Sequence, residues 1–449
     1  MKKIISLLGL VAIAIFFLSS CKKEKEDPQN QVVNQWIYDV MSEVYFWYSE
    51  IPDGMEPTGI EEPESYFNRL LYSTEDKWSF ITDDYTGLMA EFEGTPKTMG
   101  FSPAFGQYYN SENVFMVVEY VYENSPAQKA GLKRGHIITK INNQQLTTSN
   151  YADLAYSDSY TVTLAEVSGN GIFDTNQKLT MTSEVLAINT IILDTVLNVI
   201  GQNIGYLVVS EFTSEEAFVQ WASPVFKSFK SQNINNLIVD LRYNRGGEMQ
   251  AAIWLASAIA PYTTTLNQQL FVTLKFNDQL QAYMDMNNES SYRFKTIANE
   301  NLNLQTVYFL TTHYSTASAS ELVIVGLEPY MNVVQVGENT YGKYTGMWAI
   351  PDTEDVPRHN WGMLPIVMKY ANANGKTDFK DGLMPDYYVE DDLMHAVPFG
   401  DKTDPQLGKA IELITGIAQP AGKKSLLATQ GVAKIASPKQ QLKSNLWLK

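Results

Sequence analysis

The sequence predicts a multidomain α+β protein with a small helical N-terminal region, a β-rich middle domain and an α/β core built on a partly parallel sheet. Three observations carry that prediction. Apolar residues recur at helical spacing up to about residue 72, short β-rich runs fill Thr95 to Glu184, and strand-like runs alternate with helix-length segments from Val185 to Gly416. The 449 residues are enough for two or three domains and at least one large core. With 33 Lys+Arg against 50 Asp+Glu the net charge is −17, which argues against nucleic acid as a partner, since phosphate contacts need a basic face. A single Cys excludes a disulfide framework and a four-Cys zinc site. His136, His313, His359 and His395 lie too far apart for H-E-x-x-H, and no metal site is expected.

Residues 1–20 read as an address. Lys2 and Lys3 precede an apolar run from Ile4 to Leu18, too short for a spanning helix and suited to a secretory signal. Leu18-Ser19-Ser20-Cys21 resembles the bacterial lipobox, which implies cleavage before Cys21 and its acylation, and so a membrane anchor on the cell envelope. Residues 21–31 are charged and polar and read as a tether. In residues 32–94, Val33, Trp36, Ile37, Val40, Met41, Val44 and Tyr45 form one apolar stripe, and Tyr66, Phe67, Leu70 and Leu71 a second.

Residues 95–184 contain strand-like runs at Val114–Val121, Ile137–Ile141, Tyr160–Leu164 and Leu179–Thr182. Between the first two, Ser125 caps a short helix with Pro126 at its first position, and Gly131 closes it. The run from Ser125 to Ile138 resembles the signature of bacterial PDZ domains, with His136 where the family usually has Asp. The resemblance implies that Met99, Gly100, Phe101 and Ser102 form a carboxylate-binding loop for polypeptide C-termini, beside a sheet edge that pairs with an extended chain.

Residues 185–416 show strands at Gly205–Ser210, Leu237–Leu241, Val307–Thr311 and Val333–Gly337, and helices at Ala217–Ser231, Met249–Ile259 and Ala319–Glu328. Pro224 is expected to kink or interrupt the first helix. If the strands are parallel, three junctions share the carboxyl edge of one sheet, where open α/β folds place ligands. They are Arg242–Gly247, Thr312–Ala317 and Glu338–Lys343. Ser318 would open a helix, with backbone N–H groups and the helix dipole favouring negative charge. Lys343 returns to the same edge 25 residues later. A serine, a lysine and a glycine pair converge there without a histidine. Residues 417–449, with six Lys and no acid, read as a flexible tail.

Leu237–Gly247, Ser315–Glu321 and Thr340–Gly346, with Gly205-Tyr206-Leu207 and Gly382–Asp386, resemble the motifs of the C-terminal processing peptidases, or tail-specific proteases. The likeness covers roughly residues 32–416. It implies a serine endopeptidase core with crotonase-like or ClpP-like layering by analogy, and no cofactor. It makes Ser318 the nucleophile, Lys343 its general base, and the N–H groups of Ala319 and of Gly246 or Gly247 an oxyanion hole. Met347 departs from the pattern: many members carry Gln four residues after the lysine, and a thioether accepts hydrogen bonds only weakly. That departure keeps open an inactive, peptide- or ligand-binding lipoprotein. The chemistry requires Lys343 to be buried, because an exposed lysine stays protonated at neutral pH. His313, five residues before Ser318, offers a Ser–His alternative, although no G-x-S-x-G elbow is present.

Overall fold

The computed structural model of the chain describes residues 26–108, 110–168, 171–420, 432–435 and 446–448. The signal segment and Cys21 lie outside the described residues. Helix α1 (Pro28–Val44) begins within the segment expected to be a tether, because Asp27 accepts from the Gln29 N–H and Pro28 occupies the first helical position. α2 (Pro63–Leu70) packs on α1 through Val33, Trp36, Ile37, Met41, Tyr66, Phe67 and Leu70.

The second domain is an antiparallel sheet of β1 (Phe101–Tyr108), β2 (Val114–Val121), β3 (Ile137–Ile141), β4 (Ser159–Ser168) and β5 (Gly171–Thr182), in that spatial order. α3 (Pro126–Ala130) is capped by Ser125, whose side chain accepts from Gln128, and ends at Gly131 with φ +90°.

The core begins with β6 (Ile191–Val199) and β7 (Gln202–Val209), an antiparallel pair, followed by α4 (Glu215–Ser231) and β8 (Asn236–Asp240). Pro224 does not interrupt α4: it removes one amide donor, while Phe218, Ala222, Phe226 and Phe229 hold the buried face in place. Then come β9 (Gly247–Glu248), α5 (Met249–Ile259), β10 (Leu270–Phe276), β11 (Ser291–Arg293), β12 (Thr306–Thr311) and α6 (Ala319–Leu327). β13 (Asn332–Gly337), β14 (Thr345–Trp348), β15 (Ile366–Asn372), β16 (Tyr387–Tyr388) and α7 (Pro405–Thr415) complete it.

One six-stranded sheet runs β6-β7-β8-β12-β13-β16, parallel from β7 onward. Its two faces alternate by residue. Leu207, Val209, Leu237 and Val239 pack under α4, α5 and α6, whereas Tyr206, Val208 and Ile238 pack on Leu407, Ala410 and Ile411 of α7. A second sheet covers the other side of those helices through Phe271, Val272, Leu274, Met368 and Tyr370. The core therefore has four layers, with its parallel strands buried on both faces.

The segment expected to be a flexible tail supplies two strands, β17 (Val432–Ile435) and β18 (Leu446–Leu448). β17 pairs antiparallel with β1, and β18 lies between β9 and β14. Open ladder edges supply backbone partners that composition alone does not reveal.

Candidate active site

The parallel register of β8, β12 and β13 brings the three junctions to one sheet edge. Arg242, fully buried, anchors the first of them. Its guanidinium reaches Asp240 Oδ2 at 2.7 Å, Asp404 Oδ2 at 2.8 Å and Asp391 Oδ1 at 3.1 Å. Three carboxylates around one buried cation fix the chain direction as it leaves the strand.

Hydroxyls of the serine loop lock that loop onto the glycine junction. Thr316 donates to the Leu241 carbonyl at 2.9 Å, Ser320 to the Asn244 carbonyl at 3.0 Å, and Thr312 to the Arg242 carbonyl. Thr311 donates to the Glu338 carbonyl at 2.7 Å. Of the six hydroxyls crowding this stretch, four are thus committed, while buried Ser315 Oγ and Ser318 Oγ have no hydrogen-bond partner among the described residues. Ser318 has φ +61° and ψ −111°, a conformation that L-residues rarely adopt. Holding it there costs on the order of 1–3 kcal/mol, which the locked loops around it must offset. Gly246 packs directly on Ser318: a Cβ at Gly246 would come within 2.8 Å of Ser318 Cβ.

Glu321 joins the serine and lysine loops. Its Oε2 accepts from the Ser318 N–H at 2.7 Å and from the Lys343 N–H at 2.9 Å. Its Oε1 accepts from the Gly342 N–H at 2.6 Å and from the Thr340 hydroxyl. Because one oxygen takes both amides, the backbones of Ser318 and Lys343 are held within two hydrogen-bond lengths of each other. Tyr370 makes a second tie: its hydroxyl lies 3.0 Å from the Lys343 carbonyl and 3.3 Å from the Ser318 carbonyl. Burial pushes the Glu321 carboxyl up to about 7, against those hydrogen bonds, which favour its charged form.

Lys343 has no exposed surface. Desolvation lowers its ammonium to about 7, opposed by the negative charges of Asp76 and Glu321. Its Nζ lies 3.3 Å from Met347 Sδ, so the thioether of Met347 touches the amine. His313 instead sets its ring 3.2 Å from the Thr340 carbonyl, and no hydrogen bond joins it to Ser318.

The glycine pair divides its duties. Gly246 donates to Asn244 Oδ1 at 2.9 Å, so its N–H is already committed. Phe212 donates to the Gly246 carbonyl and accepts from the Glu248 N–H, which turns the N–H and C=O of Gly247 to the opposite side of that ribbon. Ala319 opens α6, where an N–H has no intrahelical acceptor.

The PDZ-like loop sits on the far side of Arg245. Gly100 has φ +81°, and its N–H is taken by Thr98 Oγ1 at 3.1 Å. Ser102 Oγ donates to Glu119 Oε2 at 2.7 Å and lies 3.3 Å from Arg245, which pairs with Glu119 at 2.9 Å. An open cleft of about 1080 Å³, its mouth included, lies here, lined by Met99, Phe101, Ser102, Tyr156, Tyr243 and Arg245. Sequence reasoning missed Glu321, Tyr370 and Arg245. For Glu321 a signal existed, since Ser318-Ala-Ser-Glu321 has the spacing of a capping box.

Comparison with known proteins agrees with this layout. The family model "Peptidase family S41" matches residues 203–389, "Peptidase S41 N-terminal domain" residues 32–80, and "PDZ domain" residues 117–167. The chain is 26% identical over 317 residues to the carboxyl-terminal-processing protease of Synechocystis, covering 69% of this chain and 67% of that protein. It is 21% identical over 387 residues to the carboxy-terminal processing protease CtpB of Bacillus subtilis, covering 80% and 71%. A crystal structure of a Bacteroides fragilis protein described as an S41 protease superposes with TM-score 0.69 at 27% identity, over 85% of this chain and 97% of that one. The two S41 models together span more than half of the chain, and with the PDZ match between them this protein belongs to peptidase family S41, carrying that family's N-terminal domain and a PDZ domain.

Proposed function

We propose that the protein is a serine endopeptidase that cleaves exported or envelope polypeptides near their C-terminal tails, with Ser318 as nucleophile and Lys343 as general base. The observation that carries this reading is a lysine without solvent contact, lowered to about 7, whose backbone is tied through Glu321 to the backbone of a strained, unpartnered serine. At neutral pH a substantial fraction of such an amine is uncharged and can accept a proton. As Ser318 Oγ attacks the scissile carbonyl carbon, its proton passes to Lys343 Nζ. The oxyanion is received by the N–H groups of Ala319 and Gly247, Gly246 having its own N–H engaged. Lys343 then hands the proton to the leaving amine, and water hydrolyses the acyl-enzyme with the same amine as base. The PDZ domain captures extended C-termini by edge pairing. Cys21 holds the protein to the envelope membrane by its lipid; among the described residues no helix is long and apolar enough to cross a membrane.

Covalent labelling tests the serine assignment. A fluorophosphonate is expected to add to the peptide containing Ser318 at pH 8 and to leave Ser315 unmodified. Labelling at Ser315, or an unchanged labelling rate in Lys343→Ala, would contradict the dyad.

A further inference from the structure

Two strands of the segment beyond α7 lie where a substrate would be expected. β18 fills a one-strand gap between β9, which begins at Gly247, and β14, which begins two residues after Lys343. The ladder is parallel on both sides, pairing Leu446 with Gly247, and Trp447 with both Glu248 and Met347. Without β18 the second sheet would be split between the glycine turn and the lysine strand. The gap is thus a receptor for an extended chain, walled by the two backbone elements that flank Ser318. It faces the N–H of Gly247, the group assigned to the oxyanion.

β17 occupies the other peptide-binding surface. It adds to β1 on the edge opposite β2, with Ile435 against Phe105 and Val432 against Tyr108. Being antiparallel, it directs its C-terminal end toward the Gly100 turn, the polarity that a captured C-terminal peptide would have. Ser318 and Lys343 meanwhile have no exposed surface, so no outside polypeptide reaches them in this arrangement. Charge favours the pairing as well: residues 417–449 carry six Lys and no acid on a chain of net charge −17.

We propose that this segment docks in cis as a stand-in for substrate, with residues 432–435 on the PDZ edge and residues 446–448 in the slot beside the glycine turn, so that an incoming polypeptide must displace it before cleavage. The inhibitory role rests on the protease reading; the docking does not. A tethered strand competes at an effective concentration on the order of millimolar, so substrates binding more weakly than this are excluded and multivalent or tightly held tails are admitted. The occupant is fixed by the register: it is this chain's own segment, not a foreign peptide.

The test uses the full chain and the full-length variant Ala433→Pro/Trp447→Pro, whose prolines remove one ladder donor from each strand. Hydrogen exchange is followed at residues 345–348, with residues 237–240 of the buried sheet as an internal control for folding. Release of the segment is expected to speed exchange at 345–348 by about tenfold or more while 237–240 stay protected, and a synthetic peptide of residues 432–449 is expected to restore the protection in the variant. Equal exchange at 345–348 in the two chains, or no protection by the peptide at millimolar concentration, overturns the proposal. Should the prolines disturb residues 237–240, the milder pair Leu446→Gly/Leu448→Gly is read in the same way. Hydrolysis of an unfolded reporter separates the two readings. Faster hydrolysis by the variant is the expected result, and equal hydrolysis by both chains overturns the inhibitory role. No hydrolysis by either chain, with exchange altered as expected, removes the protease reading and leaves the docking in place.

Discussion

Replacing Ser318 with Ala, or Lys343 with Met, is expected to lower kcat/KM toward an unfolded reporter by roughly 10⁴- to 10⁶-fold, the range seen when members of a serine catalytic unit are removed. Neither change should unfold the protein. Ser318 Oγ satisfies no hydrogen bond, so its removal leaves no partner stranded. Lys343→Met keeps most of the buried volume while deleting an amine that burial penalises. The sign of the pH effect follows from the shift. Folding lowers the ammonium from 10.5 to about 7, so between those values the unfolded chain binds more protons and stability rises with pH. At neutral pH and below, the Met variant should therefore melt at a higher temperature than the unaltered chain, and the rise in stability between pH 7 and 10.5 should shrink. Wild-type kcat/KM should fall about tenfold per pH unit below 7 as Lys343 takes up its proton. Denaturation curves and rate profiles at several pH values check both statements, and an inactive variant that melts earlier would contradict the burial argument.

Glu321→Gln is expected to have the next largest effect. Its carboxylate receives four donors, including the N–H groups of both Ser318 and Lys343. A carboxamide has a single acceptor oxygen, and its NH₂ would face donors at a position without exposed surface. At least one buried amide then loses its partner, at a cost of about 1–3 kcal/mol. The serine and lysine loops also lose their shared oxygen. A displacement of about 1 Å between reacting groups is enough to lower kcat by about 10²-fold. KM should change little, because neither the PDZ edge nor the β9–β14 slot depends on this side chain. Steady-state kinetics at pH 8 separates the two parameters, and a kcat within twofold of the unaltered chain would remove Glu321 from the positioning role.

The local patterns were the most legible part of the fold. Ser125, Pro126 and Gly131 announced α3 through capping chemistry, and the strand–turn–helix order predicted three junctions on one sheet edge on the condition of parallel strands, which the register meets. The second sheet was less legible. β14 and β15 pair with each other across 19 to 24 residues, and β18 takes its place through Gly247 and Glu248, roughly 200 residues earlier. Periodicity reports which face of an element is buried, not which strand lies beside it. The same holds at the site. Ser318 and Lys343 stood out by residue type and motif, whereas Tyr370 looks like any core aromatic until its hydroxyl is found between two particular carbonyls. Pro224 and the segment beyond Gly416 ran against expectation for a common reason. A proline costs a helix one donor and a basic tail lacks its own core, yet a neighbouring buried face or an open ladder edge supplies what local sequence does not.

The charge on Lys343 is the hinge of the proposed mechanism, and it can be read without any substrate. In the full chain carrying carbon-13-labelled lysine, the ε-methylene resonance of Lys343, assigned by its loss in Lys343→Met, should titrate with a midpoint near 7. A midpoint near 10.5, the value of a solvated lysine, would mean that the amine is protonated whenever the enzyme is folded, and Ser318 would have to find its base elsewhere.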